Sequence, residues 1–169
     1  MTLKAPNIAK SVLPGQFIIL RVDKFGERIP LTVFNYSREN ETIDIIYQKV
    51  GATTLKLDQK NAGASILDVV GPLGKSTDIT GYKKAIVVSS GVGGVISFPF
   101  AEAIKENGAY TGIIPGFRNK DMIILENEMK NISDYFEIVT DDGSNGNKGF
   151  VTDALQKLLE RDSSYDVVI

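Results

Sequence analysis

The sequence predicts two lobes, an antiparallel β-barrel followed by a doubly wound, parallel α/β sheet. Short strand patterns separated by polar turns fill the first half of the chain. From residue 84 onward, strand patterns alternate with helical ones, which is typical of a parallel sheet. We therefore assign residues 1–75 to the barrel lobe and residues 83–169 to the α/β lobe.

The predicted barrel strands are bounded by polar or glycine-containing turns. Ile43, Ile45 and Tyr47 recur at every second position, which is the period of a strand with one mainly buried face. Pro30 lies inside a strand pattern, and proline there indicates an edge or a bulge. A short helix is expected after Val50. The predicted strands cover residues 16–22, 28–36, 42–50 and 65–70.

The α/β lobe opens with a continuous apolar run at residues 85–88, which predicts a buried strand. A glycine-rich turn follows, and then a helical pattern over residues 95–106. The order strand, turn, helix repeats along the rest of the chain. Further strands are predicted at residues 110–114, 135–140 and 166–169, with helices at residues 121–129 and 151–159.

Composition restricts the functions open to this chain. Of its 169 residues, 43% are hydrophobic and 24% are charged, as in ordinary globular domains, and the net charge is -2. Neither half carries a basic patch, which argues against nucleic acid as a partner. The sequence contains no apolar run of roughly 18 residues and begins without an apolar signal segment. We expect a cytoplasmic protein without a membrane span.

The chain contains no cysteine and no histidine. A thiolate-bound iron-sulfur cluster, a cysteine nucleophile, a Ser-His-Asp triad and the common zinc sites are therefore excluded. Chemistry must come from carboxylates, hydroxyls, Lys or Arg, or from a bound cofactor that carries the reaction.

The strongest local motif runs from Ser89 to Gly94 and contains Gly91 and Gly93. It follows a buried strand and opens a helix. Glycines in this context let backbone N–H groups approach a pyrophosphate, and the helix N-terminus favours an anion. The spacing is not the full dinucleotide fingerprint, so a tight turn without a ligand is the alternative interpretation.

Three other segments have a functional and a structural interpretation. Arg118 and Lys120 follow the next predicted strand and could hold a nucleotide phosphate, or lie in a solvated loop. Residues 140–149 form a polar loop on the same edge, and their spacing departs from a calcium loop. Thr53 and Thr54 could help a helix N-terminus bind phosphate, or act as plain capping residues.

Taken together, the ordered motifs resemble the ferredoxin-NADP reductase superfamily. Within it they are most similar to the small subunits of NADH-dependent reduced ferredoxin:NADP oxidoreductases, also called sulfide dehydrogenases. The resemblance covers nearly the whole chain. The matching segments are residues 14–17, 28–32, 50–54, 67–74, 140–144 and 148–153.

This resemblance implies an oxidoreductase of the flavoprotein class, with FAD in the barrel and NAD(P)H in the α/β lobe. Thr32 matches the position whose hydroxyl hydrogen-bonds flavin N5, the atom that receives hydride from nicotinamide C4. The other implied FAD-binding residues are Arg28, Pro30, Leu31, Tyr47, Gly51, Thr53 and Thr54. The implied nicotinamide nucleotide-binding residues are Gly91, Val92, Gly93 and Arg118.

Compared with this family, both lobes are expected to be incomplete. Family members carry another barrel strand before the segment that begins at Pro14, and a cysteine cluster for a [2Fe-2S] centre beyond the strand at residues 166–169. Without cysteine, this chain cannot hold that cluster. The expected unpaired sheet edges favour association with another chain, and a larger flavoprotein or iron-sulfur subunit is the expected partner.

Two functional hypotheses follow. The first is an FAD-dependent electron-transfer subunit that works between NAD(P)H and a partner flavoprotein or ferredoxin. The alternative is a non-catalytic remnant that keeps the two-lobe scaffold for protein association.

Overall fold

The computed structural model describes all residues, Met1–Ile169, and the chain forms two compact units. The first unit spans Met1–Thr77 and the second spans Asp78–Ile169. Each unit contains one five-stranded sheet. No helix is both long and apolar enough to cross a lipid bilayer.

The first unit is an open antiparallel sheet with two short helices. Its strands lie in the order β1-β4-β3-β2-β5. Along the chain the elements are β1 (Thr2–Lys4), α1 (Pro6–Ser11), β2 (Phe17–Arg21), β3 (Ile29–Ser37), β4 (Thr42–Ile45), α2 (Ala52–Asp58) and β5 (Asp68–Leu73).

One face of this sheet forms the core of the first unit. Ile18 and Leu20 on β2, and Ile43 and Ile45 on β4, are completely buried at alternate positions. This is the period-two burial that the sequence indicated. The guanidinium of Arg38 packs against the end of α1, where it donates to the carbonyls of residues 9, 10 and 12. These bonds satisfy the last helical carbonyls, which have no partner inside the helix.

The position of Pro30 confirms its predicted edge character. Pro30 pairs with Ile19 of β2, whereas β4 pairs with β3 only from Val33 onward. On the side facing away from β2, no strand lies beside Pro30, so its missing N–H disrupts no ladder there.

Three strand predictions in the first unit need correction. β4 ends at Ile45 rather than at residue 50, and β5 begins at Asp68 and extends to Leu73. The residues before Pro14, where the family's additional barrel strand was expected to be missing, supply β1 and α1. β1 therefore forms one edge of the sheet. With only three residues, it is too short to be predicted from hydrophobic periodicity.

The second unit is a parallel sheet with flanking helices. Its strands lie in the order β10-β6-β7-β8, and β9 also pairs with β7. The elements are β6 (Lys84–Ser90), α3 (Gly93–Glu106), β7 (Tyr110–Phe117), a 3-10 turn (Lys120–Met122), α4 (Glu126–Ile132), β8 (Tyr135–Phe136), β9 (Val139–Thr140), α5 (Val151–Arg161) and β10 (Val167–Val168). The predicted fold class, an antiparallel lobe followed by a parallel α/β lobe, is confirmed.

Several boundaries in the second unit differ from the prediction. The helix predicted at residues 121–129 is wrong, because Leu125 adopts a left-handed φ of 58° that separates the 3-10 turn from α4. The strand predicted at residues 135–140 is split into β8 and β9, which pair with different parts of β7. α3 begins at Gly93 rather than at residue 95, and β7 continues to Phe117.

Gly116 lets α5 pack closely on β7. A Cβ at this position would lie 2.5 Å from Val151 Cγ1, a carbon held by a β-branched side chain on α5. We expect Gly116→Ala to destabilise the second unit by about 1–3 kcal/mol, because packed interiors tolerate an added methyl poorly. Urea unfolding measures the change. The double variant Gly116→Ala/Val151→Ala should show a favourable coupling energy, and strict additivity would contradict this account.

An ion pair fixes the beginning of β6 to the loop before β10. Lys84 Nζ donates to Asp162 and, at 2.9 Å, to Ser164 Oγ, and it lies over the rings of Tyr110 and Tyr165. The bond from Lys84, assisted by those from Ser164, lowers the pKa of Asp162 to about 2.

The lowered pKa of Asp162 predicts a dependence of stability on pH. Because the folded value is below the unfolded value of about 3.9, the ionised carboxylate stabilises the fold above that pH. This contribution is lost as the pH falls from about 3.9 toward about 2. We expect Asp162→Asn to unfold at lower urea concentration than wild type at neutral pH, with the gap closing in acid. Asp121→Asn, at an exposed aspartate of the 3-10 turn, is the control and should show no such gap.

Candidate functional site

Charged side chains gather where β2, β3 and β5 meet in the first unit. Asp68 Oδ2 accepts from Arg21 Nε at 2.8 Å and from Arg28 Nη2 at 3.4 Å. The Arg28 side chain remains 59% exposed. Two guanidinium groups share one carboxylate, so this corner of the sheet keeps a positive charge that can attract an anionic ligand.

The next residues of β3 carry the other predicted flavin contacts. Pro30 is exposed, whereas Leu31 and Thr32 are half-buried. Leu31 packs against the core, and Thr32 pairs with Phe17 of β2. Pro30, Leu31 and Thr32 thus follow one another along β3, directly after Arg28, and no strand lies beside Pro30 on the side away from β2.

The chain reaches the helix α2 from the end of β4. β4 runs antiparallel to β3, and its last residue, Ile45, pairs with Val33. The chain therefore leaves β4 beside Thr32 before it reaches Gly51, which precedes α2. A Cβ at Gly51 would meet no atom within 4 Å, so the approach to its backbone is open.

Thr54 and Thr53 have different roles at the start of α2. Thr54 Oγ1 accepts from the N–H groups of Gly51 at 3.0 Å and Val50 at 3.2 Å, so this hydroxyl caps the turn. Thr53 is buried. The N–H groups of the first helical turn have no acceptor inside the helix and can bind a phosphate oxygen. The capping alternative is therefore confirmed for the Thr54 side chain, and its backbone remains a candidate donor.

Tyr47 lines a cavity of about 650 Å³ together with Lys49 and Asp58. Burial, followed by the charge of Asp58, raises the pKa of the Tyr47 phenol, and Lys49 opposes this shift. Tyr47 also packs against the core of the sheet. Tyr47 therefore has a structural role, and its contact with a flavin stays a prediction.

Two exposed apolar residues near α2 were missed by sequence reasoning. Val50 is 83% exposed and Leu55 is 50% exposed, and they flank the turn that contains Gly51. Their position on both sides of the Gly51–Thr54 motif is the signal that could have identified them. Exposed apolar side chains beside open N–H groups suit a ligand that has an aromatic ring and a phosphate.

In the second unit, a glycine turn links β6 to α3. Gly91 has a φ of 54°, and its N–H donates to Gly116 O of β7 at 2.8 Å. Gly93 begins α3, and added Cβ atoms at Gly91 and Gly93 would meet no atom within 4 Å. Val92 lies between them and is 44% exposed. The three predicted residues thus form one open turn at the helix N-terminus.

Ser89 is buried beneath this turn, and sequence reasoning gave it no individual role. Its Oγ has no hydrogen-bond partner. The same oxygen lies 3.7 Å from the Cβ position of Gly94, and that position is only 2.8 Å from Met129 Cε of α4. Gly94 therefore serves the close packing of α3 on α4, whereas Gly91 and Gly93 leave their backbone open.

Two further loops reach the same edge of the parallel sheet. Ser90 pairs with Gly116, so exposed Arg118 follows β7 near the glycine turn. Lys120 N donates to Ser144 Oγ at 2.7 Å, which links this loop to residues 140–149. Thr140 and Asn145 hydrogen-bond at 2.7 Å and order that second loop internally. The carboxyl edge therefore brings together the glycine turn, Arg118 and the polar loop.

Sequence comparison identifies close relatives. The chain is 43% identical over 165 residues to a dihydroorotate dehydrogenase B (NAD(+)) electron transfer subunit homolog of Thermotoga maritima. The aligned region covers 98% of this chain and 58% of the relative. It is 34% identical over 164 residues to the corresponding electron transfer subunit of Fusobacterium nucleatum, over 94% of this chain and 62% of that protein. No protein-family profile matches the chain.

Structural comparison gives the same relationship. The structure of an NADH-dependent reduced ferredoxin-NADP oxidoreductase matches 99% of this chain and 60% of that chain, with a TM-score of 0.90 and 41% identity. The chain thus spans about 60% of the length of the proteins it matches. By sequence, the chain is a homologue of dihydroorotate dehydrogenase B electron transfer subunits, and its two-unit fold is ferredoxin reductase-like.

Proposed function

We propose that this chain is an FAD-dependent electron-transfer subunit that works between NAD(P)H and a partner flavoprotein or ferredoxin. One observation carries the proposal. Each unit has a strand that leads through an open glycine turn into a helix, at Gly51 in the first unit and at Gly91 and Gly93 in the second. Two such turns match the two pyrophosphates of FAD and NAD(P)H.

The proposal places FAD on the first unit. The first-turn N–H groups of α2 would hold its pyrophosphate, beside the open backbone of Gly51. Arg28 would add positive charge at the rim, because Asp68 neutralises only one of the two guanidinium groups that contact it. Pro30 and Leu31 would line the flavin ring, and the Thr32 hydroxyl would hydrogen-bond flavin N5.

Bound FAD would supply the two-electron redox chemistry that protein side chains cannot perform. The chain contributes binding, orientation and electrostatics. Thr54 stabilises the α2 turn through its hydroxyl, so its contribution to the ligand is its backbone N–H. Tyr47 is assigned to the flavin site by the family resemblance, and its packing on the core would hold that side of the sheet in place.

The second unit would receive the nicotinamide nucleotide at the start of α3. Val92 and Gly93 would contact it through their N–H groups, and Gly91, whose N–H is bound to Gly116 O, would allow its close approach. Arg118 would lie near a ribose or phosphate of the same ligand. The helix N-terminus favours the negative pyrophosphate. The open turn at the carboxyl edge of a parallel sheet is where such sheets bind ligands.

A partner polypeptide completes this proposal. The relatives are electron transfer subunits by name, and this chain corresponds to about 60% of their length. With no cysteine, the chain cannot provide a thiolate-bound iron-sulfur cluster. A larger flavoprotein or iron-sulfur subunit would accept or supply the electrons.

Two matched glycine substitutions separate the proposed sites. Gly51→Leu and Gly93→Leu each add a side chain where a Cβ meets no atom within 4 Å, so both variants should fold normally. We expect Gly51→Leu to raise the Kd for FAD about tenfold or more, and Gly93→Leu to do the same for NADH or NADPH. Fluorescence titrations of the purified chain measure both constants.

Each glycine variant is the control for the other. Wild-type protein that ignores added FAD would contradict the proposed function and favour a non-catalytic scaffold. Equal effects of both variants on both ligands would contradict the assignment of one ligand to each turn.

Thr32 provides a test of the reaction itself. Thr32→Val keeps the shape of the side chain but removes the hydroxyl, so we expect FAD to remain bound. Reduction of the bound flavin by NADH or NADPH should slow about tenfold, as expected for one lost hydrogen bond in the transition state. Stopped-flow loss of the yellow flavin absorbance measures the rate.

Thr32→Ser retains the hydroxyl and should react at a rate near that of wild type. Equal rates for wild type and Thr32→Val would show that this hydroxyl plays no part in the reaction.

A further inference from the structure

The free edge of β1 is a second feature of the first unit that calls for a partner. Met1 and Ile45 exchange backbone hydrogen bonds, and the Ala5 N–H donates to Glu41 O. In an antiparallel ladder the bonding direction alternates, so the N–H and C=O groups of Thr2 and Lys4 face away from β4. These groups form an unpaired edge that can accept another strand.

Two adjoining cavities run along this edge. They measure about 720 Å³ and 650 Å³, and both are lined by Thr2 and Leu3 on one side. Gly63, Ala64 and Ile66 line both cavities on the other side. Residues 2–3 thus form one wall of a groove, and residues 63–66 form the other. A single extended strand can lie between two walls, whereas the edge of a second sheet would bring further strands against the wall formed by residues 63–66.

The groove walls define the chemistry of the strand that fits. The first cavity has apolar residues, Leu3, Ile8, Ile66 and Val69, interspersed with polar ones, and its only charged residue is Lys4. A strand that alternates apolar and polar side chains could bury its apolar face here and expose the other.

The two ends of the groove differ in charge. Lys49 and Lys60 line the cavity at the Met1 end together with a single carboxylate, Asp58, which pairs with Lys49 at 3.2 Å. A strand that runs antiparallel to β1 would end there. An acidic residue at its carboxyl end therefore complements the uncompensated lysine.

We propose that this groove binds an extended strand of a partner polypeptide, antiparallel to β1, alternating in polarity and acidic at its carboxyl end. The partner strand would hydrogen-bond to Thr2 and Lys4 by β-augmentation. A second copy of this chain is a poorer occupant, because its β1 is already paired with β4 and would bring that strand into the groove wall. The proposal does not depend on cofactor binding.

A strand attached to the full chain tests whether the groove accepts one. The probe is about six residues alternating valine and threonine, joined to Met1 by an Asn-Gly turn, which favours an antiparallel hairpin. We expect amide exchange at Thr2 and Lys4 to slow about tenfold or more, and the urea midpoint to rise. The control carries proline at every second position of the added strand, which prevents ladder formation.

Sedimentation of the unmodified chain tests the identity of the occupant. The proposal predicts a monomer whose Thr2 and Lys4 amides exchange rapidly. A dimer with those amides protected would assign the groove to a second copy and overturn the proposal. Unchanged exchange in the fused chain, or equal protection by the proline control, would overturn it as well. Tyr47, which the family resemblance assigns to the flavin site, also lines the smaller cavity. FAD binding is therefore measured separately, by titration of the unmodified chain, so that failure of this proposal and failure of the proposed function remain distinguishable.

Discussion

The first turn of an α-helix leaves backbone N–H groups without an acceptor inside the helix, and both candidate sites are built on that constraint. Gly51 precedes α2, and Gly91 and Val92 precede α3. At Gly51, Gly91 and Gly93 no atom would contact an added Cβ, so the backbone is accessible. Such backbone donors can bind the anionic group of a ligand, alongside arginine side chains.

Packing keeps both turns in place. In the first unit, the Thr54 hydroxyl accepts from the N–H groups of both Val50 and Gly51. In the second, the Gly91 N–H is bound by the carbonyl of Gly116, and the absence of a side chain at Gly116 admits Val151 of α5. The turns are thus held by groups that the ligand would not use, which is a form of preorganisation.

Much of this arrangement was predictable from the sequence, but its details were not. The alternation of Ile43 and Ile45 and the apolar run at residues 85–88 reflect long-range burial, and both predicted their strands. β1 was missed because three residues show no period. The helix predicted at residues 121–129 is interrupted at Leu125, which adopts a left-handed conformation. Glycine usually occupies such positions, so a leucine there did not indicate the interruption. The capping role of Thr54, the buried hydroxyl of Ser89 and the exposure of Val50 depend on tertiary placement, which local patterns do not encode.

The most direct test of the central claim is a ¹H–¹⁵N correlation spectrum of the labelled chain recorded during separate additions of FAD and NADH. If backbone donors at the two helix starts bind the cofactors, FAD shifts the amide signals of residues 51–54 and NADH shifts those of residues 91–94. Shifts confined to other regions, or none at saturating ligand, would contradict the account.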